Sequence, residues 1–459
     1  MRTICLIIIA LLALFSFAGA QELSDLEKSP VGKRALAYFS ALNSGDDTKL
    51  AAFFVENTDP DALKRRPVEP RVEFHRQVRS DLKHLDFKRV TSMTANEIKM
   101  LAQSPNGQWV SITFPVESSG KFSGVMVEQI DPPAEPKPLP AAPATLADFP
   151  GAVELLFDDL TKSGQFSGVV LIAKDDKPIF QKAYGYADTT KKSANNIDTR
   201  FNLGSINKMF TRIAIGQLIS QGKLSFSDKL SKVLPEYPNR EVADKITIGQ
   251  MITMTSGMGD FFGEKFMAAD KTKVRSEKDY LPFFVNNPLE FEPGTKNRYS
   301  NAGYVVLGLV IEKLTGKSYY DYVRENVFKP AKMNSTDSYA MDELPPNTAV
   351  GYMDARKVAN TTEQPARGSS AGGGYSTVGD MLRFAEALKD RKLMIPDDKG
   401  TFPAQFSGAG FAGGSPGVNS IFLVNGQTGY AVIVLSNFDP PSAEKPGALV
   451  RDWLKQIKQ

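Results

Sequence analysis

The sequence predicts an α+β protein: an antiparallel sheet assembled from both ends of a large C-terminal domain around a central helical insertion, preceded by a small α+β roll. Three observations carry this. A strand-hairpin pattern opens the C-terminal part, an apolar strand pattern closes it with helical periodicity between, and a Pro/Ala-rich stretch sets both apart from an N-terminal region. With 459 residues the chain has ample material for more than one core. Apolar residues make up 42% and charged residues 23%, ordinary globular usage that excludes a disordered, collagenous or coiled-coil protein.

In chain order, Met1-Arg2-Thr3 precedes an apolar run from Ile4 to Phe17, then Ala18-Gly19-Ala20 before Gln21. A basic start, a short apolar run and a small-x-small site predict a cleaved signal peptide over 1–20 and a periplasmic or secreted product. The run is short for a membrane span and no later stretch reaches spanning length, so no integral membrane segment is expected after cleavage. Cys5, the only cysteine, lies within the run. The mature chain is then expected to have no disulfide, thiol nucleophile or Cys-ligated metal.

Residues 21–130 are the first predicted domain. Ala35, Leu36, Tyr38, Phe39 and Leu42, then Leu50, Phe53 and Phe54, recur at helical spacing, whereas Phe87 to Met93, Glu97 to Ala102, Trp109 to Val116 and Gly124 to Ile130 alternate as strands. Helices first and a meander after suggest an α+β roll, compositionally similar to the cone-shaped nuclear-transport-factor-like or cystatin-like domains. His75 and His84, the only two histidines, sit among Arg71, Arg76, Arg79 and Lys83 and are expected on a solvated basic helix face rather than in a site. Residues 131–150, DPPAEPKPLPAAPATLADFP, read as a semi-rigid linker without a core element.

Residues 151–459 are the second predicted domain. Val169 to Ala173, a turn at Lys174 to Pro178, and Ile179 to Tyr186 form the hairpin. Tyr430 to Leu435 is a buried strand, and Ala448 to Ile457 a terminal helix. Lys plus Arg total 55 against 52 for Asp plus Glu, a formal +3, with no basic run of five or more, so nucleic acid is not an expected partner.

The pattern Ser-x-x-Lys occurs five times, starting at Ser80, Ser118, Ser205, Ser220 and Ser442, so context must select. Only Ser205-Ile206-Asn207-Lys208 follows an apolar-small approach, Phe201 to Gly204, and opens a long amphipathic helix through Ile219. Residues i and i+3 share a helix face, so the Lys208 amine can reach the Ser205 hydroxyl. Burial would depress the lysine pKa and let it act as a base, while the helix start offers backbone N–H groups to an oxyanion. Tyr299-Ser300-Asn301 follows the turn Glu292 to Thr295 and precedes a helical run. In an extended segment i and i+2 point the same way, which aims a phenol and a carboxamide at one cavity. Tyr237-Pro238-Asn239 has the same spacing but lacks those flanks. Finally, the glycine-rich segment Gly408 to Gly417 leads into Val418 to Val424, where glycines permit close approach of a ligand to the backbone.

In this order and with these flanks, the chain resembles the serine β-lactamase and penicillin-binding-protein superfamily, in its class C β-lactamase, D,D-carboxypeptidase and β-lactamase-like esterase branch. Leu224 to Leu230, Ile246 to Gly257, Phe291 to Gly294 and Ala371 to Thr377 look like the family too, and Thr377 with Asp380 forms a capping box. The resemblance runs from about Phe149 to the C-terminus. It implies Ser205 as nucleophile, Lys208 and Tyr299 as a coupled base, Asn301 as the group orienting Lys208 and substrate, and Gly414 as an oxyanion donor. Aligning Gly413 with the glycine of the family's Lys/His-x-Gly motif puts Phe411 where a cation or donor normally stands. Recognition of a substrate carboxylate is therefore not expected.

Competing chemistries fail on the histidine count. Gly413-Gly414-Ser415-Pro416-Gly417 fits a G-x-S-x-G elbow, but such triads need a histidine after the serine, and none follows His84. A zinc hydrolase is unsupported for want of His and Cys in the C-terminal domain, and no metal or cofactor is expected. The sequence thus points to an exported serine hydrolase working through an acyl-enzyme on a small-molecule ester, amide or peptide, esterase-like rather than β-lactamase or D,D-peptidase. The alternative is a catalytically weak exported binding or regulatory protein on the same scaffold.

Overall fold

The computed structural model describes residues 26–27, 29–93, 97–117, 119–132, 140–353, 358–393 and 410–457. The expected signal peptide lies outside them. The chain folds as two compact units, Met1–Pro138 and Leu139–Gln459.

In the first unit, Pro30 suits a first helical position, and the Ser29 hydroxyl accepts from the Gly32 N–H at 3.3 Å to start α1 (Pro30–Asn43). Asp46 caps α2 (Asp47–Asn57) by accepting from Thr48 N–H. After α3 (Pro60–Arg65) and α4 (Val68–Leu82) come β1 (Asp86–Met93), β2 (Glu97–Gln103), β3 (Trp109–Pro115) and β4 (Met126–Ile130). The strands form one antiparallel meander in the order β1-β2-β3-β4. Tyr38, Phe54, Ile112 and Phe114 are fully buried at its centre.

The expectation for the histidines needs correction. Arg71, His75, Val78 and Leu82 form a buried stripe on α4, not a solvated face. His75 shares a 2.8 Å hydrogen bond with the Tyr38 hydroxyl, and burial pushes its pKa down to about 3, so it is neutral. The Arg71 guanidinium donates to the carbonyls of Arg66, Ala62 and Ser123 at 2.8, 2.8 and 3.0 Å, which replaces the water its burial removes. His84 alone is exposed, 3.0 Å from Asp86.

The second unit opens with α5 (Phe149–Lys162). Phe149 and Pro150, the last two residues of the expected linker, thus belong to a helix, and Phe149 is fully buried with Trp453, Val170 and Val434. The hairpin β5 (Gly168–Lys174) and β6 (Lys177–Tyr184) turns on Asp175 and Asp176, with φ of 49° and 64°. Two successive left-handed residues match the twist of a two-residue hairpin, and aspartate tolerates that region. From the other end of the chain come β7 (Gly410–Ser415), β8 (Val418–Asn425) and β9 (Tyr430–Ser436). The sheet order is β7-β8-β9-β5-β6, every neighbouring pair antiparallel. Pairing of β9 with β5, from Tyr430↔Lys174 to Ser436↔Gly168, joins the two chain ends. Val170, Ile172, Val432 and Val434 face α5 and α10 (Glu444–Gln456), whereas Val169, Leu171, Ile433 and Leu435 face the helical middle of the chain. That two-sided burial is why these strands read as unbroken apolar runs.

Two helices of the middle carry the site, α6 (Lys208–Ser220) and, beyond the short α7 (Arg240–Lys245), α8 (Asn301–Thr315). The expected amphipathic helix from Ser205 is instead a 3₁₀ turn, Gly204–Asn207, followed by α6. Ten of the 13 residues of α6 are buried, so it is enclosed on nearly every side. In α9 (Val378–Lys389) only half of the expected capping box forms. Thr377 accepts from Asp380 N–H, but the Asp380 carboxylate accepts from Ser335 N–H and the Thr336 hydroxyl, at 2.7 and 2.6 Å. Among the described residues no helix is long and apolar enough to cross a membrane.

Candidate active site

Ser205 stands on the 3₁₀ turn, where Gly204 has φ of 51° and its N–H donates to the Asn202 side chain at 2.8 Å. Lys208 is the first residue of α6, one turn on, and is buried. Tyr299 precedes the Ser300 N-cap of α8, whose hydroxyl accepts from Gly303 N–H at 2.9 Å, and Asn301 is the first helical residue. Ser300 is extended, with φ of −140°, so Tyr299 and Asn301 reach the same place as their spacing predicts.

The Tyr299 hydroxyl lies 2.5 Å from Ser205 Oγ, and Lys208 Nζ lies 3.3 Å from it. Lys208 Nζ also donates to Asn301 Oδ1 at 2.6 Å and, more closely still, to the Ala371 carbonyl. Burial brings the Lys208 pKa down to about 7, against a smaller opposing pull from the Asp260 carboxylate. A neutral amine has two N–H groups and one lone pair. The two short contacts to carbonyl oxygens use both N–H groups, which leaves the lone pair for the longest contact, Ser205 Oγ. Lys208 can therefore receive the serine proton. The Tyr299 ring is half exposed, but protein packed around its hydroxyl raises its pKa to about 12. A protonated phenol between serine and solvent can pass a proton on; it is not a standing phenolate. The ammonium form of Lys208 would sit 4.7 Å from the Tyr299 ring centre and 5.5 Å from that of Tyr304.

Sequence reasoning missed three contributors. Asp260 accepts from Asn301 Nδ2 at 2.7 Å and so orients the amide oxygen toward Lys208. Ala371 supplies a backbone carbonyl, which no side-chain pattern reveals. Glu277, fully buried, accepts from Ser370 N–H at 2.7 Å and lies 2.7 Å from the Ser370 hydroxyl, so it fixes the loop that presents Ala371. Asn207 and Thr211 tie the same loop to α6 through the carbonyls of Ser369 and Ser370, at 2.8 and 2.7 Å.

From Gly410 to Ser415 the glycine-rich segment is the edge strand β7, beside the Ser205 turn. A Cβ on Gly413 would overlap the Leu203 carbonyl oxygen, and one on Gly204 would stand only 2.9 Å from the Gly414 nitrogen. Gly413 is thus a residue of close approach that lets Gly414 reach the serine turn, not a lining residue of the cleft. Phe411 also departs from expectation. It packs against the main core, and the strand residues that line the cleft are Ala412, Gly414 and Ser415. Phe411 itself is not among the described residues that line the cleft. Tyr237 is buried in the core and Asn239 caps a short helix, which accounts for both without chemistry.

The cleft above Ser205 has a volume of about 400 Å³. Phe261, Phe262, Phe266, Met267 and Tyr280 form one apolar wall, with Tyr339 and Met341 contributing further. No lysine or arginine is among the described residues that line it.

A family model described as Beta-lactamase matches residues 153–455. Penicillin-binding protein 4* of Bacillus subtilis (strain 168) is 35% identical over 189 residues, 41% of this chain and 41% of that protein. The chain therefore matches less than half the length of that relative. A penicillin-binding protein from Bacillus halodurans is similar in structure, with a TM-score of 0.57 at 32% identity over 65% of this chain and 98% of that one. The D-amino acid amidase from Ochrobactrum anthropi SV3 shares the fold, with a TM-score of 0.56 at 22% identity over 67% of this chain and 99% of that one.

Proposed function

The chain belongs to the Beta-lactamase family, and from that premise we propose that it is an exported serine hydrolase that cleaves esters or amides through an acyl-enzyme on Ser205, esterase-like rather than β-lactamase or D,D-peptidase. One observation carries the reading: the Lys208 amine and the Tyr299 hydroxyl both converge on Ser205 Oγ. Ser205 attacks the substrate carbonyl and its proton passes to Lys208. The oxyanion is held by the backbone N–H groups of Ser205 and Gly414. Tyr299 gives a proton to the leaving group and regains one from Lys208, and water then releases the acyl group by the same path in reverse. The preference against β-lactams and acyl-D-Ala-D-Ala peptides rests on the absence of a described cation along the cleft, since a buried carboxylate would go without a charge-assisted partner worth about 1.5–3 kcal/mol. Export follows the leader pattern of residues 1–20 and places the reaction in the periplasm or medium.

The test is covalent labelling with a serine-directed phosphonate, followed by peptide mass spectrometry. The adduct is expected on the peptide containing Ser205 and is lost in Ser205→Ala. Labelling of Ser415, or undiminished labelling of the variant, would overturn the assignment.

A further inference from the structure

Glu363 is the only fully charged residue among the described residues that line the cleft. It follows the 3₁₀ turn Asn360–Thr362, and its N–H donates to the Asn360 carbonyl at 3.0 Å. The segment is pinned to the end of β7: Asn360 Nδ2 donates to the Pro416 carbonyl at 2.8 Å, and Gln364 Nε2 reaches the same oxygen at 3.4 Å. On its other side, Ala366 N–H donates to the Lys271 carbonyl at 2.8 Å. A segment held at both ends gives its side chain a fixed place. Glu363 is half buried, and among the described residues its carboxylate has neither an ion pair nor a hydrogen bond. Asp260 and Glu277, by contrast, have partners in Asn301 and Ser370.

An unpaired negative charge in a cleft walled by aromatic rings acts through a medium less polarisable than water, so it attracts a cation and repels an anion more strongly than on an open surface. Lys208 does little to offset it, because burial leaves that amine largely unprotonated above neutral pH. The phenyl walls reinforce the same sign, since ring faces favour cations.

We propose that Glu363 makes the cleft select substrates that carry an ammonium group and reject those that carry a carboxylate. The inference rests on the acyl-enzyme reading of Ser205 and names the substrate class of that site. The ligand chemistry is a primary amine near the scissile carbonyl, in an otherwise apolar ester or amide.

The experiment compares kcat/KM for matched aryl esters whose acyl chain ends in an ammonium, a methyl or a carboxylate group, with a second series bearing the same groups on the alcohol side. In the full-length protein the order ammonium, methyl, carboxylate is expected in at least one series, each step about tenfold, and high salt compresses it. Glu363→Gln should flatten that series and Glu363→Lys should invert it, with Ser205 labelled by the phosphonate in all three proteins. A wild-type spread that persists in Glu363→Gln, or a wild type that favours the carboxylate, overturns the proposal. Failure of phosphonate labelling would instead remove the acyl-enzyme reading and this inference with it; normal labelling with two flat series sinks the role of Glu363 alone.

Discussion

A lysine that takes a proton from serine must be neutral when the serine attacks, and Lys208 owes that state to burial at the centre of the helical layer. The groups that face it pull in different directions. Asp260, through its bond to Asn301, favours the ammonium form and the rings of Tyr299 and Tyr304 do so weakly, whereas the burial around the amine opposes it. Asp260 is therefore a positioning residue with an electrical side effect. In the wild type, kcat/KM for a neutral ester is expected to rise with pH through about 7 as Lys208 loses its proton. Asp260→Asn removes a negative charge, makes the ammonium form less favourable, and should move that rising limb to lower pH. A pH–rate profile checks this. A limb that stays in place or moves upward would mean Asp260 is not coupled to the base.

At the scale of elements, the loop Ser369–Ala371 is what delivers a carbonyl to Lys208, and Glu277 holds it. The Ser370 hydroxyl lies 2.7 Å from Glu277 and 2.8 Å from the Tyr304 carbonyl, yet it has one proton. A protonated Glu277 resolves the count by donating to Ser370, which then donates to Tyr304. Burial pushes the Glu277 pKa up to about 8, in agreement. Because the folded pKa lies above the unfolded one, the contribution of this group to stability is complete below about pH 4.5 and falls as pH rises through about 8. Glutamine can make both bonds and cannot ionise. Glu277→Gln should thus be close to wild type at pH 5 and gain on it by a few kcal/mol at pH 8.5, measured by urea unfolding at the two values. A constant difference across that range would show that Glu277 does not titrate there.

For the whole molecule, the two compact units each bury their own apolar residues. The second unit's core includes Phe149 and, at its margin, Ala142, so a cut must precede Ala142 rather than follow it. Residues 139–459 expressed alone are expected to unfold in one cooperative transition and to keep phosphonate labelling at Ser205. Circular dichroism on heating and mass spectrometry check the two halves of that statement. An insoluble or unlabelled fragment would mean that the first unit completes the core or the site of the second.

What the sequence determined by itself was local. The β5–β6 hairpin was legible because turn residues and apolar runs act over a few residues, and Ser205 with Lys208, like Tyr299 with Asn301, could be paired because helix and extended spacings bring each pair to one side. Even the buried stripe of α4 was present in the spacing of Arg71, His75, Val78 and Leu82, hidden by residue types usually found in water. Only the tertiary structure decided the rest. Asp260 meets Asn301 across 41 residues with no periodic signal between them. The two faces of β7 could not be told apart in a glycine-rich run with few side chains to mark alternation; pairing of Phe411 with Phe422 turns the phenyl ring to the core and leaves Ala412 and Gly414 to the cleft. Gly413 is required because the Leu203 carbonyl, over two hundred residues earlier, passes where a Cβ would be. Close approach of distant backbones is a property of the packed chain, and neither composition nor spacing encodes it locally.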